Sequence, residues 1–348
     1  MKKFRLIFFA FPCLLLGMNW SCKNAEPPTE PPAAAPADTS SVRIERSLPE
    51  LDSLIAPDAE IEVLADGFEW TEGPVWLAKD SSLLFSDIPP NKIMKWKEGG
   101  GVQLYLTPSG YTSKDSATMK EPGSNGLLLD SQGRLVLCQH GDRRIARMNA
   151  PLEKPKPDFT TLAGKWNGKR LNSPNDAVFD SKGNLWFTDP PYGLTKQADD
   201  PDREIPFQGV YRLRQNGQVD LMIDSLSRPN GIAFSPDGTK LYVANSDPDR
   251  AIWMVYDVQP NGSLANGKVF FDATEDAKVM KGLPDGLKVS QQGVVFASGP
   301  GGIWIFKPDA TLLGKINTGQ ATSNCTFGND GKALYITADM YLMRVKLL

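Results

Sequence analysis

The sequence predicts an all-β fold, a six-bladed β-propeller, from three features that recur along the chain. A polar residue followed by a short apolar run returns at spacings of 39 to 55 residues, at Glu72, Asn125, Asn175, Asn230, Asp285 and Asn324. Most of these runs lead through a turn, such as Asp130-Ser131-Gln132-Gly133, into a second apolar run. The runs are short and rich in β-branched and aromatic residues, and no long window follows a helical period. Repeats of this length built from strands and turns are typical of propellers, and six units predict six blades.

Composition narrows the classes of function. Of the 348 residues, 41% are hydrophobic, which is enough for the core of one closed all-β domain. The net charge of -3 gives no basic surface, so no nucleic-acid partner is expected. His140 is the single histidine, which excludes a multi-histidine zinc site and leaves one candidate for a Ser-His-Asp triad. The four cysteines lack the CxxC spacing of a zinc ribbon or redox pair.

The amino terminus reads as an export signal followed by a spacer. A basic head and an apolar stretch too short to span a membrane precede Cys22, so we expect a lipoprotein signal peptide over residues 1–21. Cys22 is the candidate lipidation site, and the Pro/Ala-rich residues 22–57 are predicted to form a tether. The protein would then be anchored to a bacterial membrane, facing the periplasm or the cell surface. Ordinary cleavage would instead leave it soluble in the periplasm or secreted.

Residues 58–348 carry the propeller pattern. Residues 47–55 could form a helical turn against this domain, and Ile61–Leu64 reads as its first strand. Leu185–Asp189 is an example of a second strand of a blade, and Ile303–Phe306 of a third. A closed ring has no free sheet edges. We therefore expect Ile61–Leu64 to pair with Met343–Lys346 and complete the last blade.

The recurring polar residues predict a cation site. In a propeller the innermost strand of each blade runs along the central channel, so the six residues would face one axis at one height. Two carboxylates and four amides there would form a cage of hard oxygen ligands, suited to Ca²⁺, Mg²⁺ or Mn²⁺. The alternative is that Asn and Asp before Gly are plain turn residues. That alternative does not account for Glu72 at the same position in the repeat.

Several stretches together resemble the gluconolactonase / senescence-marker-protein-30 (regucalcin-like) family. They are Glu72-Gly73-Pro74-Val75-Trp76, Pro174-Asn175-Asp176-Ala177-Val178, Phe187-Thr188-Asp189-Pro190-Pro191-Tyr192-Gly193, Pro229-Asn230-Gly231-Ile232 and Pro284-Asp285-Gly286-Leu287. The resemblance implies a propeller with a central metal-binding channel, in which Glu72, Asn175, Asn230 and Asp285 hold one divalent cation. That cation would be Ca²⁺, or alternatively Mg²⁺, Mn²⁺ or Zn²⁺. It also implies hydrolysis of sugar lactones. Animal members have an Arg where this chain has Ser173, so the resemblance does not predict which sugar lactone is the substrate.

The chemistry of lactone opening suggests roles for individual residues. A carboxylate beside the cation can take a proton from the attacking water, and we assign this role to Asp285, with Glu72 chiefly a ligand. Asn125, His140, Asn175 and Tyr192 are candidate substrate contacts, although His140 could equally be structural. Asn324 is interpreted as a plain turn residue. Two alternatives stay open: hydrolysis of organophosphate esters at the same site, and a non-enzymatic carbohydrate-binding propeller with a structural cation.

Overall fold

The computed structural model describes residues 42–115 and 118–348, and these form a six-bladed β-propeller. Six antiparallel sheets of four or five strands and one two-stranded hairpin are found in these residues. Each of the six sheets is one blade, as the sequence predicted. In the same part of the chain, no helix is long and apolar enough to cross a membrane. The signal peptide and Cys22 lie outside the described residues.

The first three blades follow one another along the chain, each with four strands ordered from the axis outward. Blade 1 consists of Thr71–Leu77, Ser82–Asp87, Lys92–Lys97 and Gly101–Leu106. Blade 2 consists of Ser124–Leu129, Leu135–Gln139, Arg144–Met148 and Phe159–Ala163. Blade 3 consists of Ala177–Phe179, Leu185–Asp189, Gly209–Leu213 and Val219–Ile223. A hairpin of Lys165–Trp166 and Lys169–Arg170 precedes blade 3, and a 3-10 helix at Gln197–Asp199 interrupts it.

Blades 4 to 6 follow the same order. Blade 4 consists of Pro229–Phe234, Lys240–Asp247, Arg250–Val258 and Leu264–Asp272, and the short helix Thr274–Ala277 follows it. Blade 5 contains Leu287–Val289, Val295–Gly299, Gly302–Phe306 and Leu312–Asn317. Blade 6 contains Thr322–Gly328, Ala333–Ala338 and Tyr341–Lys346.

The amino-terminal part of the domain completes the last two blades. Ile61–Ala65 pairs with the final strand Tyr341–Lys346, which confirms the predicted closure of the ring. Arg43–Arg46 adds a fifth strand to blade 5 by pairing with Leu312–Asn317. The 3-10 helix Pro49–Ser53 forms the predicted helical turn.

The tether predicted for residues 22–57 is therefore too long. From residue 42 onward these residues belong to the propeller, because Leu51 and Ile55 are fully buried in the core shared by blades 5 and 6. The Pro-rich composition does not reveal this attachment, since an edge strand is held mainly by backbone hydrogen bonds. Residues 22–41 lie outside the described part of the chain.

The cores lie between the blades, and the innermost strands surround the axis. Each hydrophobic cluster joins two neighbouring blades, for example blades 4 and 5 through Trp253, Trp304 and Phe306. The first strands of neighbouring blades contact one another all the way round, from blade 1 to blade 6 and back. This ring brings residues that are 39 to 55 positions apart in the sequence to one end of the channel.

Candidate functional site

The six recurring polar residues sit at the start of the innermost strands, or just before them, and neighbouring blades are joined at this level. The backbone N–H of Gly126 in blade 2 donates to the carbonyl of Asn175 in blade 3 (2.8 Å). The Thr188 hydroxyl of blade 3 donates to the carbonyl of Asn230 in blade 4 (2.7 Å). These bonds fix the height of each polar residue relative to the next.

The ring closes between blades 6 and 1. Nδ2 of Asn324 donates to Oε2 of Glu72 at 3.3 Å, and the backbone N–H of Gly73 donates to the same oxygen at 2.7 Å. Asn324 is thus a buried member of the ring, and the interpretation of it as a plain turn residue is wrong. Asn324 lies in the strand Thr322–Gly328 and contacts Glu72 because blade 6 packs against blade 1. The short sequence Thr-Ser-Asn alone does not show this packing.

Close packing around the axis explains the glycine that follows four of the polar residues. A Cβ at Gly73 would overlap the Asn125 carbonyl, and one at Gly231 would overlap the Asp285 carbonyl. At Gly286 it would overlap the Asn324 side chain. The Glu-Gly, Asn-Gly and Asp-Gly pairs are therefore required for approach between blades, in addition to any preference for turns.

The polar ends of this ring form the floor of one cavity. A cavity of ≈ 460 Å³ at the mouth of the channel is lined by five of the six ring residues. These are Glu72, Asn125, Asn175, Asn230 and Asp285. Tyr192, Arg228 and Glu121 line the walls, together with apolar groups that include Trp70, Met280 and Leu283. All four residues predicted to hold the cation therefore face the same space.

Four oxygens of the floor are buried without a partner. Oδ1 of Asn125, Asn175, Asn230 and Asp285 is shielded from solvent and accepts no hydrogen bond from the described residues. At Asn230 the amide nitrogen donates to Ser246 Oγ (3.0 Å), which leaves Oδ1 as the free end. Buried oxygens are almost always paired, so four orphans at one place mark a position where a cation or an ordered water would bind. This donor set fits a hard divalent cation.

The electrostatics of the two carboxylates point the same way. Burial, with the Asp176 carboxylate adding to it, raises the pKa of Glu72 to about 7. Burial and then the carboxylates of Glu72 and Asp176 raise the pKa of Asp285 well above its usual range. Two such groups ionise together only at a cost unless a positive charge lies between them. Residues 42–115 and 118–348 hold no cluster of three or more His, Cys, Asp or Glu that could bind a metal, so the donors would be two carboxylates with amides.

The predicted substrate contacts divide into two groups. Asn125, Asn175 and Tyr192 line the cavity as expected. His140 is fully buried and does not line it, and its Nδ1 instead lies 3.2 Å from Oε2 of Glu121. The structure brings His140 to a residue of the cavity wall, and its predicted contact with substrate stays a prediction.

Four charged residues of the site were missed by sequence reasoning. Asp176 is buried beside the ring, and Lys288 reaches it with Nζ 3.8 Å from Oδ2. Lys288 Nζ also donates to the Asn324 side chain at 3.3 Å. The other two, Glu121 and Arg228, lie on the cavity wall. One feature of the sequence could have pointed to Asp176. It follows the ring residue Asn175 at the position where four other blades have Gly.

Residues 70–339 match the family model described as the SMP-30/gluconolactonase/LRE-like region. The chain belongs to this family. A gluconolactonase from Zymomonas mobilis is 41% identical to this family member over 314 residues, which is 87% of this chain and 86% of the relative. The solved structure of a gluconolactonase from Xanthomonas campestris has 33% identity and a TM-score of 0.75, and the match covers 88% of this chain and 95% of that one. A calcium-binding regucalcin from Agrobacterium tumefaciens shares the fold, with a TM-score of 0.64, 18% identity and coverage of 82% and 94%.

Proposed function

We propose that the protein hydrolyses sugar lactones to aldonic acids with the help of one divalent cation. The observation that carries the proposal is the set of four unpartnered oxygens that face one cavity beside Glu72. The 41% identical relative from Zymomonas mobilis, a gluconolactonase, supports the choice of substrate. The cation would be Ca²⁺, alternatively Mg²⁺, Mn²⁺ or Zn²⁺.

Glu72, Asn175, Asn230 and Asp285 are the residues proposed to hold the cation. Their oxygens come from four blades, and the ring of inter-blade hydrogen bonds keeps them in place before any ligand arrives. When bound there, a divalent cation supplies Lewis acidity, which polarises a carbonyl and makes a bound water more acidic. Such preorganisation lowers the cost of stabilising charge in the transition state.

Asp285 is proposed as the general base. Its carboxylate faces the cavity and would accept one proton from the water as the water oxygen bonds to the lactone carbonyl carbon. The bond between that carbon and the ring oxygen then breaks, and the ring oxygen leaves as a hydroxyl after it takes up a proton. The products are the carboxylic acid and the freed hydroxyl on one open chain.

Asn125, on the cavity floor, and Tyr192, on its wall, are proposed to bind hydroxyl groups of the substrate. Ser173, at the position of the animal substrate-binding Arg, has a different task. Its hydroxyl donates to the Pro190 carbonyl (2.6 Å) and accepts from the Gly193 N–H (2.9 Å). Ser173 thus shapes the loop that carries Tyr192, and substrate selection must come from other residues.

One assay tests the proposed function against its alternatives. The purified protein is given glucono-δ-lactone and, separately, a phosphotriester, before and after chelation and with cation added back. A pH-stat records acid release, with the spontaneous opening of the lactone subtracted. Lactone opening that is lost on chelation and restored by the cation supports the proposal. Activity on the phosphotriester alone, or on neither compound, would overturn it.

We also propose export and lipid anchoring through Cys22, which the described residues do not include. The proposal relies on the apolar stretch before Cys22 and the Pro/Ala-rich residues after it. Cys22→Ser should prevent incorporation of labelled fatty acid and release the protein from the membrane fraction. If the wild-type protein incorporates no labelled fatty acid and is already soluble, the anchor is refuted and simple secretion is favoured.

A further inference from the structure

Glu121 adds a third carboxylate to the cavity, beside Glu72 and Asp285, and lies on the wall outside the ring. It lies on the loop that leads into the innermost strand of blade 2, four residues before Asn125. Its side chain is 31% exposed and lines the same cavity as Asn125 and Asp285. In the part of the chain that the structure describes, its carboxylate lies 3.2 Å from Nδ1 of the His140 imidazole. The proposed mechanism gives Glu121 no role.

His140 is buried in a way that ordinary packing does not explain. Nδ1 is 3.2 Å from Oε2 of Glu121, although not aligned as a full hydrogen bond. Neither ring nitrogen has a hydrogen-bond partner elsewhere in the described chain. Burying an imidazole without partners destabilises a protein, and an apolar side chain of similar size would avoid that cost. Its proximity to Glu121 is therefore the feature to be explained.

His140 also connects two loops of the cavity wall. Its backbone N–H donates to the carbonyl of Gly123, in the loop of Glu121 (3.2 Å). On its other side it packs against Gly193, where an added Cβ would come within 2.7 Å of the His140 Cβ. Gly193 follows Tyr192, so the position of the imidazole bears on Glu121 and Tyr192 together.

We propose that Glu121 recognises hydroxyl groups of the substrate and that His140 is the residue that positions it. An ionised carboxylate only accepts hydrogen bonds and can take two from neighbouring hydroxyls, which matches the vicinal diols of a sugar lactone. The preference for lactones that carry free ring hydroxyls would thereby depend on Glu121. This inference rests on the proposed function and deepens it.

Two lactones of the same ring size separate recognition from chemistry. Glucono-δ-lactone carries ring hydroxyls and δ-valerolactone carries none. For Glu121→Gln, kcat/KM on glucono-δ-lactone should fall about 10- to 100-fold, as expected for loss of hydrogen bonds to a charged group. On δ-valerolactone it should change less than about 2-fold, since no hydroxyl is recognised. Glu69→Gln, which removes an exposed carboxylate outside the cavity, is the matched control and should leave both values unchanged.

An equal fall on both lactones would overturn the inference, because Glu121 would then act in the bond-making step. No fall on either would also overturn it. If the wild-type protein opens neither lactone, the proposed function fails, and binding then tests the inference alone. Glucono-δ-lactam, which resists hydrolysis, should bind the wild type about 10- to 100-fold more tightly than Glu121→Gln in calorimetry. Equal binding, or none, would contradict the role of Glu121.

His140 is tested by a pair of substitutions. Asn can place an N–H near the position of Nδ1, whereas Leu fills the space and offers no donor. His140→Leu should raise KM for glucono-δ-lactone about 10-fold and leave kcat within about 2-fold, and His140→Asn should restore most of the loss. Thermal unfolding of both variants shows whether they fold. If folded Leu and Asn variants are equally impaired, or if the Leu variant matches the wild type, His140 does not position Glu121.

Discussion

Replacing Glu72 with Gln should make the metal-free protein more stable and at the same time abolish its response to a cation. Gln keeps one side-chain oxygen to accept the Gly73 N–H, so the substitution removes charge with little change in shape. Burial, with the carboxylate of Asp176 adding to it, raises the pKa of Glu72 from 4.5 to about 7. That shift corresponds to about 3 kcal/mol lost from the free energy of unfolding when Glu72 is ionised.

The sign of the pH dependence follows from this shift. As pH rises from about 4.5 to about 7, the unfolded chain gives up the Glu72 proton while the folded chain keeps it. Stability that is fully present below pH 4.5 is therefore lost by pH 7 and stays lost above it. Metal-free Glu72→Gln should exceed the wild type by about 3 kcal/mol at pH 8 and match it at pH 4. A cation at about 100 times its Kd should return about 2.7 kcal/mol to the wild type and nothing to the variant.

Urea unfolding followed by tryptophan fluorescence measures these differences in chelator-treated protein at pH 4 and pH 8, with and without cation. Glu62→Gln is the control with the opposite sign, because the hydrogen bond from Arg344 lowers the pKa of Glu62. That variant should be slightly less stable than the wild type at pH 8. Two results would contradict this prediction: a metal-free Glu72→Gln that is less stable than the wild type at pH 8, and equal stabilisation of both proteins by the cation.

Three further predictions concern catalysis, the ring and the amino-terminal segment. Asp285→Asn should lower kcat on glucono-δ-lactone about 10²- to 10⁴-fold in a pH-stat assay, and full activity would remove Asp285 as the base. Gly286→Ala should weaken cation binding in calorimetry because the new Cβ overlaps Asn324, whereas Gly100→Ala in an exposed turn should bind normally; equal binding would contradict the ring packing. Leu51→Ala should cost about 2–5 kcal/mol in urea unfolding, and a neutral result would mean that the amino-terminal segment is not part of the folded core.

Much of the fold could be predicted from the sequence because each blade repeats the same local code. The alternation of strand residues and the turns defined the blades, and the closing pair formed by Ile61–Ala65 followed from the need to remove free edges. Arg43–Arg46 was not foreseen. A four-residue edge strand is held by its backbone, and its side chains range from intermediate to exposed, so they carry little signal.

The candidate site could be predicted as far as the repeat extends. Glu72, Asn175, Asn230 and Asp285 share one position in the repeat, and the structure brings them to one cavity. Glu121 lies on a loop outside the repeat, so only the folded chain shows that it faces the cavity. His140 could be placed near the channel mouth by its loop, but whether the imidazole or a neighbour reaches the cavity depends on packing between blades 2 and 3.

The most direct test of the central claim is anomalous diffraction from crystals of the protein soaked in Ca²⁺. We expect one strong peak at the mouth of the channel, about 2.3–2.6 Å from side-chain oxygens of Glu72, Asn175, Asn230 and Asp285. Two results would contradict a cation site at the ring. One is that no peak appears at saturating Ca²⁺ or Mn²⁺, and the other is that the peak lies away from these four residues.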